Sequence, residues 1–141
     1  MTDLNVQKYF NFLVTEYNFN KPVTYNYVKE IHTDYIKENI VVKIIYEGTY
    51  SCALIKLDKI DKDLLAEKKR LIEINYNSMT YYNLSELDRN KKLYKSVSKF
   101  NFPDKELWYY STLLKNNSEL LQGDFSKFST INRFLRKIGL R

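Results

Sequence analysis

The sequence predicts an α+β fold: an N-terminal helix, an antiparallel β-meander of three or four strands, then a helical C-terminal half. Three observations carry this reading. Apolar residues recur at helical spacing between Asp3 and Tyr17, and β-branched and aromatic residues crowd the stretch from Val23 to Leu57. Helical spacing then returns from Leu84 onward.

The first helix rests on Val6, Tyr9, Phe10, Leu13, Val14 and Tyr17, with Thr2 or Asp3 placed to accept its free amides. Asn18-Phe19-Asn20-Lys21-Pro22 ends it, because proline cannot continue a helix and disfavours helical geometry in the residue before it. Val23-Thr24-Tyr25-Asn26-Tyr27-Val28 reads as a strand. Tyr35-Ile36-Lys37 and Ile40-Val41-Val42-Lys43-Ile44-Ile45-Tyr46 flank Glu38-Asn39, a two-residue hairpin turn in which asparagine tolerates positive φ. Glu47-Gly48-Thr49 leads into a strand from Tyr50 to Leu57. Connections this short make neighbouring strands antiparallel. Residues 40–46 are apolar at both alternating positions, which predicts a central strand covered on at least part of each face.

From Asp58 to Asn77 two readings stay open: a charged helix over Lys59–Arg70 and a short extra strand over Leu71–Tyr76. Ser85 opens the next helix, with Asp88 placed as in a capping box and Leu84, Leu87, Tyr94 and Val97 as its apolar stripe. A further helix starts near Pro103-Asp104, buries Leu107, Tyr110, Leu113, Leu114 and Leu121, and stops at Gly123 in left-handed geometry. Asp124 or Ser126 then caps a final helix on Phe125, Phe128, Ile131, Leu135 and Ile138. Nothing repeats at a fixed period and no linker interrupts the chain, so residues 1–141 read as a single domain.

Composition narrows the class. With 44% hydrophobic residues and two prolines the chain has the makings of a folded globule. No apolar run approaches the roughly 18 to 20 residues that cross a bilayer. The N-terminus lacks the basic start and apolar stretch of a secretion signal, and Cys52 has no second cysteine to pair with. A cytoplasmic location is the expectation. The net charge of +6 is concentrated in the second half, where residues 71–141 hold 12 basic and 7 acidic side chains. A basic balance suits anionic partners. It also follows from codon supply in an AT-rich genome, since Lys, Asn, Ile and Tyr dominate while Ala and Gly are scarce.

Chemistry-bearing patterns are sparse. Structural zinc needs four Cys or His ligands, and the chain holds one of each. Asp58, Asp61 and Asp63 lack the glycine and bidentate acid of a calcium loop, so no metal and no cofactor is expected. His32 and Cys52 lie in strand territory without a third group to orient them, and no phosphate loop or nucleophile elbow is present. The expectation is a protein that is not an enzyme. Nucleic-acid binding is the stronger alternative: Lys91, Lys92, Lys95 and Lys99 share one helix with Tyr94, and the last helix adds Arg133, Arg136 and Lys137.

The run Leu107-Trp108-Tyr109-Tyr110-Ser111-x-Leu113-Leu114-Lys115-Asn116-Asn117-x-Glu119-Leu120-Leu121-x-Gly123-Asp124-Phe125-Ser126-x-Phe128 resembles small bacterial immunity proteins of polymorphic-toxin and contact-dependent inhibition systems. Tyr9-Phe10-x-Phe12-Leu13-Val14-x-x-Tyr17-x-Phe19 and Ile40–Glu47 are similar to such proteins too. The resemblance implies a non-catalytic protein that binds a cognate toxin domain and blocks it; it transfers no binding residues. From the residues alone, consecutive Tyr81 and Tyr82 fall in a loop, and Trp108, Tyr109 and Thr112 lie off the main stripe of their helix. Tyr81, Tyr82 and Tyr109 are therefore the expected exposed contact aromatics, with Lys91, Lys95 and Lys99 steering an acidic partner.

Overall fold

A computed structural model describes residues 3–68, 80–100 and 104–128. The strand considered at Leu71–Tyr76, Pro103, and the final helix with Ile131, Arg133, Leu135, Arg136, Lys137 and Ile138 lie outside these residues. The architecture is α+β. Two short helices, α1 (Leu4–Phe10) and α2 (Phe12–Tyr17), precede a meander of β1 (Val23–Tyr27), β2 (Glu30–Lys37), β3 (Ile40–Tyr46) and β4 (Tyr50–Lys56). Helix α3 (Lys59–Lys68) follows, then β5 (Thr80–Asn83), α4 (Lys92–Val97) and α5 (Lys105–Asn116). The sheet has five strands, not three or four, all antiparallel in the order β1-β2-β3-β4-β5.

Local chemistry accounts for most boundaries. Asp3 Oδ1 accepts the amides of Asn5 and Val6, both at 3.1 Å, and so caps α1. The expected single N-terminal helix is interrupted in its bonding at Asn11, which keeps helical dihedrals (φ −59°, ψ −24°). Its end is set at Asn18, which turns left-handed at φ 64° four residues before Pro22. In the β2–β3 turn Glu38, not Asn39, takes the positive φ (53°). Asn39 is used differently: its carbonyl accepts the Leu57 amide at 2.8 Å and ties the end of β4 to the turn.

The sheet is buried on both faces. One face, carrying Tyr35, Val42, Ile44, Cys52, Leu54 and Tyr82, packs with α1, α2 and α5 into the main core around Phe10, Leu13, Leu107 and Leu114. The other face carries Val41, Ile55 and Leu57 against Leu65 of α3. β3 is the central strand, and burial of Ile40 through Ile44 on both sides explains its unbroken apolar run.

Candidate functional site

The polar surface expected around residues 85–99 is built differently from the sequence reading. Ser85 and Asp88 do not form a capping box. Asn83 Oδ1 accepts the Ser85 amide (3.1 Å) and opens a 3-10 turn over Leu84–Leu87. Asn90 and Lys91 then take left-handed φ values of 56° and 54°, which breaks the expected continuous helix in two. The chain doubles back so that Asp88 caps α4: Oδ1 accepts the Leu93 amide (2.8 Å) and Oδ2 the Tyr94 amide (2.9 Å). Oδ2 also accepts the Tyr109 hydroxyl at 2.8 Å, fastening α4 to α5. Burial raises the Asp88 pKa, but these amide and hydroxyl bonds outweigh it and hold the carboxyl below its ordinary value.

This construction decides which candidate residues reach solvent. Tyr109, expected exposed, is buried: it belongs to the main core together with Val97 of α4, which packs against α5. Its ring meets Tyr94 edge-on at 5.6 Å. Tyr82 is also buried, since residues 80–83 form β5 and its side chain enters the main core, stacked on Phe125 at 4.8 Å and 7°. Tyr81 points to the opposite face and packs, half-buried, against the α3 cluster. Lys91, Lys95 and Lys99 are exposed as expected.

Three aromatics that were not assigned to binding take the surface instead. Tyr94, expected on the apolar stripe, is 51% exposed; Phe100 is 62% and Trp108 39% exposed. Trp108 was legible as lying off the stripe of α5, whereas Phe100 follows the helix and belongs to no periodic pattern. Among the described residues, Ser96, Val97, Phe100 and Trp108 line a cleft of about 250 Å³. Val97 also lines a second groove, of about 360 Å³, with Tyr94, Tyr109, Tyr110, Tyr50, Lys105 and Glu106. Burial, then the proximity of Cys52 and Glu106, pushes the Tyr110 phenol up to about 12, so it stays neutral and able to donate. Between Arg89 and Phe100 stand five cations (Arg89, Lys91, Lys92, Lys95, Lys99) and no carboxylate. The α4–α5 face therefore combines apolar concavities, exposed rings and a local excess of cations, with Glu106 of α5 the carboxylate that lines its second groove.

On the other side of the sheet lies a polar cluster that the sequence did not disclose. Tyr25, His32, Asp34 and Lys43 come from three adjacent strands and are all buried. The Lys43 ammonium donates to Tyr25 Oη (2.8 Å) and His32 Nδ1 (2.7 Å), and Tyr25 Oη donates to Asp34 Oδ2 (2.7 Å). Asp34 Oδ1 lies 2.9 Å from Lys43 Nζ, an ion-pair contact whose angle falls outside hydrogen-bond geometry. With Nδ1 accepting, the imidazole proton sits on Nε2, which has no hydrogen-bond partner and is 3.6 Å from Glu30 Oε1. Burial first, then the neighbouring Lys43 charge, hold the His32 pKa below its ordinary 6.5, against the pull of Asp34 and Glu30. Burial likewise lowers the Lys43 pKa, opposed by Asp34. A one-residue slip of β3 would carry Lys43 into the main core, so the cluster enforces strand register.

His32 and Cys52 do not meet. Cys52 pairs across β3 with Ile44 on the main-core face, while His32 pairs with Ile45 on the other. Burial also pushes the Cys52 thiol well above its ordinary pKa, leaving it protonated. Of the three clustered aspartates, Asp58 Oδ1 accepts the Asp61 amide (2.8 Å) at the start of α3, Asp61 is buried and Asp63 is exposed. Among the described residues no group of three or more His, Cys, Asp or Glu side chains is placed to hold a metal ion, and no helix is long and apolar enough to cross a membrane. No protein-family model, curated protein or solved structure matches the chain.

Proposed function

We propose that this chain is a non-catalytic immunity protein that binds a cognate toxin domain in the cytoplasm and neutralises it by covering its surface. The observation that supports this is the α4–α5 face, where Phe100, Tyr94 and Trp108 stand in solvent beside five cations. Aromatic anchors within a charged rim are what protein interfaces use: the rings supply contact energy and the charges supply orientation and encounter rate. Occlusion needs no nucleophile or proton relay, and the resemblance in the Leu107–Phe128 run points the same way. Contact residues in this reading are Trp108, Phe100 and Tyr94 with Lys91, Lys95 and Lys99, in place of Tyr81, Tyr82 and Tyr109.

The test is co-expression with the toxin domain encoded beside this gene. The wild-type chain should restore growth and form a complex, and Trp108→Ala should weaken that complex by about 2 kcal/mol or more with little change in folding stability. Full affinity in Trp108→Ala, Phe100→Ala and a Lys91/Lys95/Lys99 triple-alanine variant would sink the assignment to this face. Absence of any protection would sink the immunity reading.

A second reading is favoured by the same five cations: a small nucleic-acid-binding accessory protein whose exposed rings stack on unpaired bases. Salt separates the two. Phosphate neutralisation gives a slope in log K against log[salt] of about −0.7 per contacted phosphate of a single strand, whereas an interface anchored by apolar side chains changes mainly in association rate.

A further inference from the structure

We infer that the Phe100–Trp108 cleft takes an acidic polypeptide segment that inserts one apolar side chain; this deepens, and rests on, the protein-binding reading above. The size of the cleft comes first. At about 250 Å³ it falls below the pockets of roughly 300–1,000 Å³ that enclose small-molecule ligands, and it matches a single side chain in scale.

The lining excludes other occupants. Val97, Phe100 and Trp108 are apolar, and Ser96 is the only polar residue lining it among the described residues. A base would leave its edge groups without partners there, which is costly for polar atoms taken out of water. A leucine, phenylalanine or methionine side chain loses nothing of that kind.

Charge then selects the sequence around the anchor. The five cations between Arg89 and Phe100 face no carboxylate within their own stretch. The nearest acids along the chain on either side are engaged already: Asp88 in its three hydrogen bonds, and Asp104, whose Oδ2 accepts the Tyr9 hydroxyl at 3.5 Å. Lys92 precedes Ser96 by one helical turn, and Lys95 and Lys99 immediately precede Ser96 and Phe100, so the cations border the cleft in sequence. Glutamates or aspartates flanking an apolar anchor would meet them, and a basic segment would be repelled.

The chain carries its own reporter, because Trp108 is its single tryptophan. A phage-displayed random dodecapeptide library panned on the full-length protein at low salt supplies the probe, and the best tryptophan-free binder is resynthesised. The expected result is enrichment of peptides with excess Asp and Glu around one large apolar residue, and a blue shift of Trp108 emission on binding. Phe100→Ala should then weaken the peptide by about 30-fold. Lys95→Glu with Lys99→Glu should slow association by about tenfold while leaving dissociation nearly unchanged. Because Phe100 and both lysines are exposed, circular dichroism melting should be unaltered in these variants.

Enrichment without an acidic excess overturns the inference. So does an acidic binder that leaves Trp108 emission unchanged and ignores Phe100→Ala, which is charge attraction without a cleft. Displacement of the peptide by a twenty-residue oligothymidine at lower concentration than the peptide itself also overturns it, in favour of nucleic acid. The two readings fail separately. An acidic peptide seated in the cleft of a protein whose Phe100→Ala variant still protects cells upholds this inference and removes the immunity function from this face. Lost protection in Phe100→Ala without acidic enrichment overturns the inference and keeps the immunity reading.

Discussion

Replacing Lys43 by methionine keeps the bulk of a long side chain in the sheet and removes its charge. Lys43 Nζ and Asp34 Oδ1 are 2.9 Å apart. At an effective dielectric constant near 20 that separation corresponds to about 6 kcal/mol of attraction, and removing two ions from water costs several kcal/mol each, so the pair is close to break-even. The single variant upsets the balance. Asp34, 1% exposed, stays buried with the Tyr25 hydroxyl on Oδ2 and no cation, and His32 Nδ1 loses its donor. The expected loss is about 3–5 kcal/mol, a large fraction of the roughly 5–15 kcal/mol that holds a domain folded. The double variant Lys43→Met with Asp34→Leu removes both charges and should recover most of that loss. Urea unfolding at pH 7.5, followed by far-UV circular dichroism, measures both through the midpoint at constant slope. A single-variant loss below about 1 kcal/mol, or a double variant no better than the single, would refute the buried-pair argument.

Other expectations follow from the same packing. Leu114, fully buried in the main core, should cost about 2–5 kcal/mol as alanine, and Tyr82→Ala about 3–5 kcal/mol because its ring stacks on Phe125; urea midpoints check both. Tyr109→Phe keeps the ring and deletes the hydroxyl bond to the Asp88 carboxylate, so a loss of about 1.5–3 kcal/mol is expected, and no loss would mean α4 is not fastened there. His32 gives a pH dependence of defined sign. Its folded pKa lies below the unfolded 6.5, so the unfolded chain takes the proton first; the stability is complete above about pH 7 and falls as pH drops through 6.5. Unfolding midpoints between pH 7.5 and 5.5 should therefore slope in the wild type and flatten in His32→Gln, and equal slopes would count against a buried neutral imidazole.

Element type was legible wherever one face of one element decides its residues. The stripe Val6, Phe10, Leu13 of the first helix announces itself because burial of one face leaves a period in the sequence, and the run of β3 because burial of both faces leaves no polar alternation. Asp3 as a cap was legible for the same reason, since it solves a problem of its own few residues; the left-handed Gly123 (φ 94°) was legible too, although it closes the 3-10 turn Ser118–Gln122 and not α5, which already ends at Asn116. What stayed hidden depends on partners distant in the chain. Tyr82 looked like loop because β5 is four residues long and gains its identity from pairing with β4, some 27 residues earlier at Ala53–Lys56. Tyr109 looked exposed because the main core reaches further round its helix than the stripe, through α4, which Asp88 caps and ties to α5. The polar cluster was equally invisible, since Tyr25, His32, Asp34 and Lys43 share no spacing and meet only through the register of three strands. Periodicity records the face that the nearest neighbour buries. Which off-stripe aromatics remain in water, and so which surface can bind, is decided by how the remaining elements close over one another.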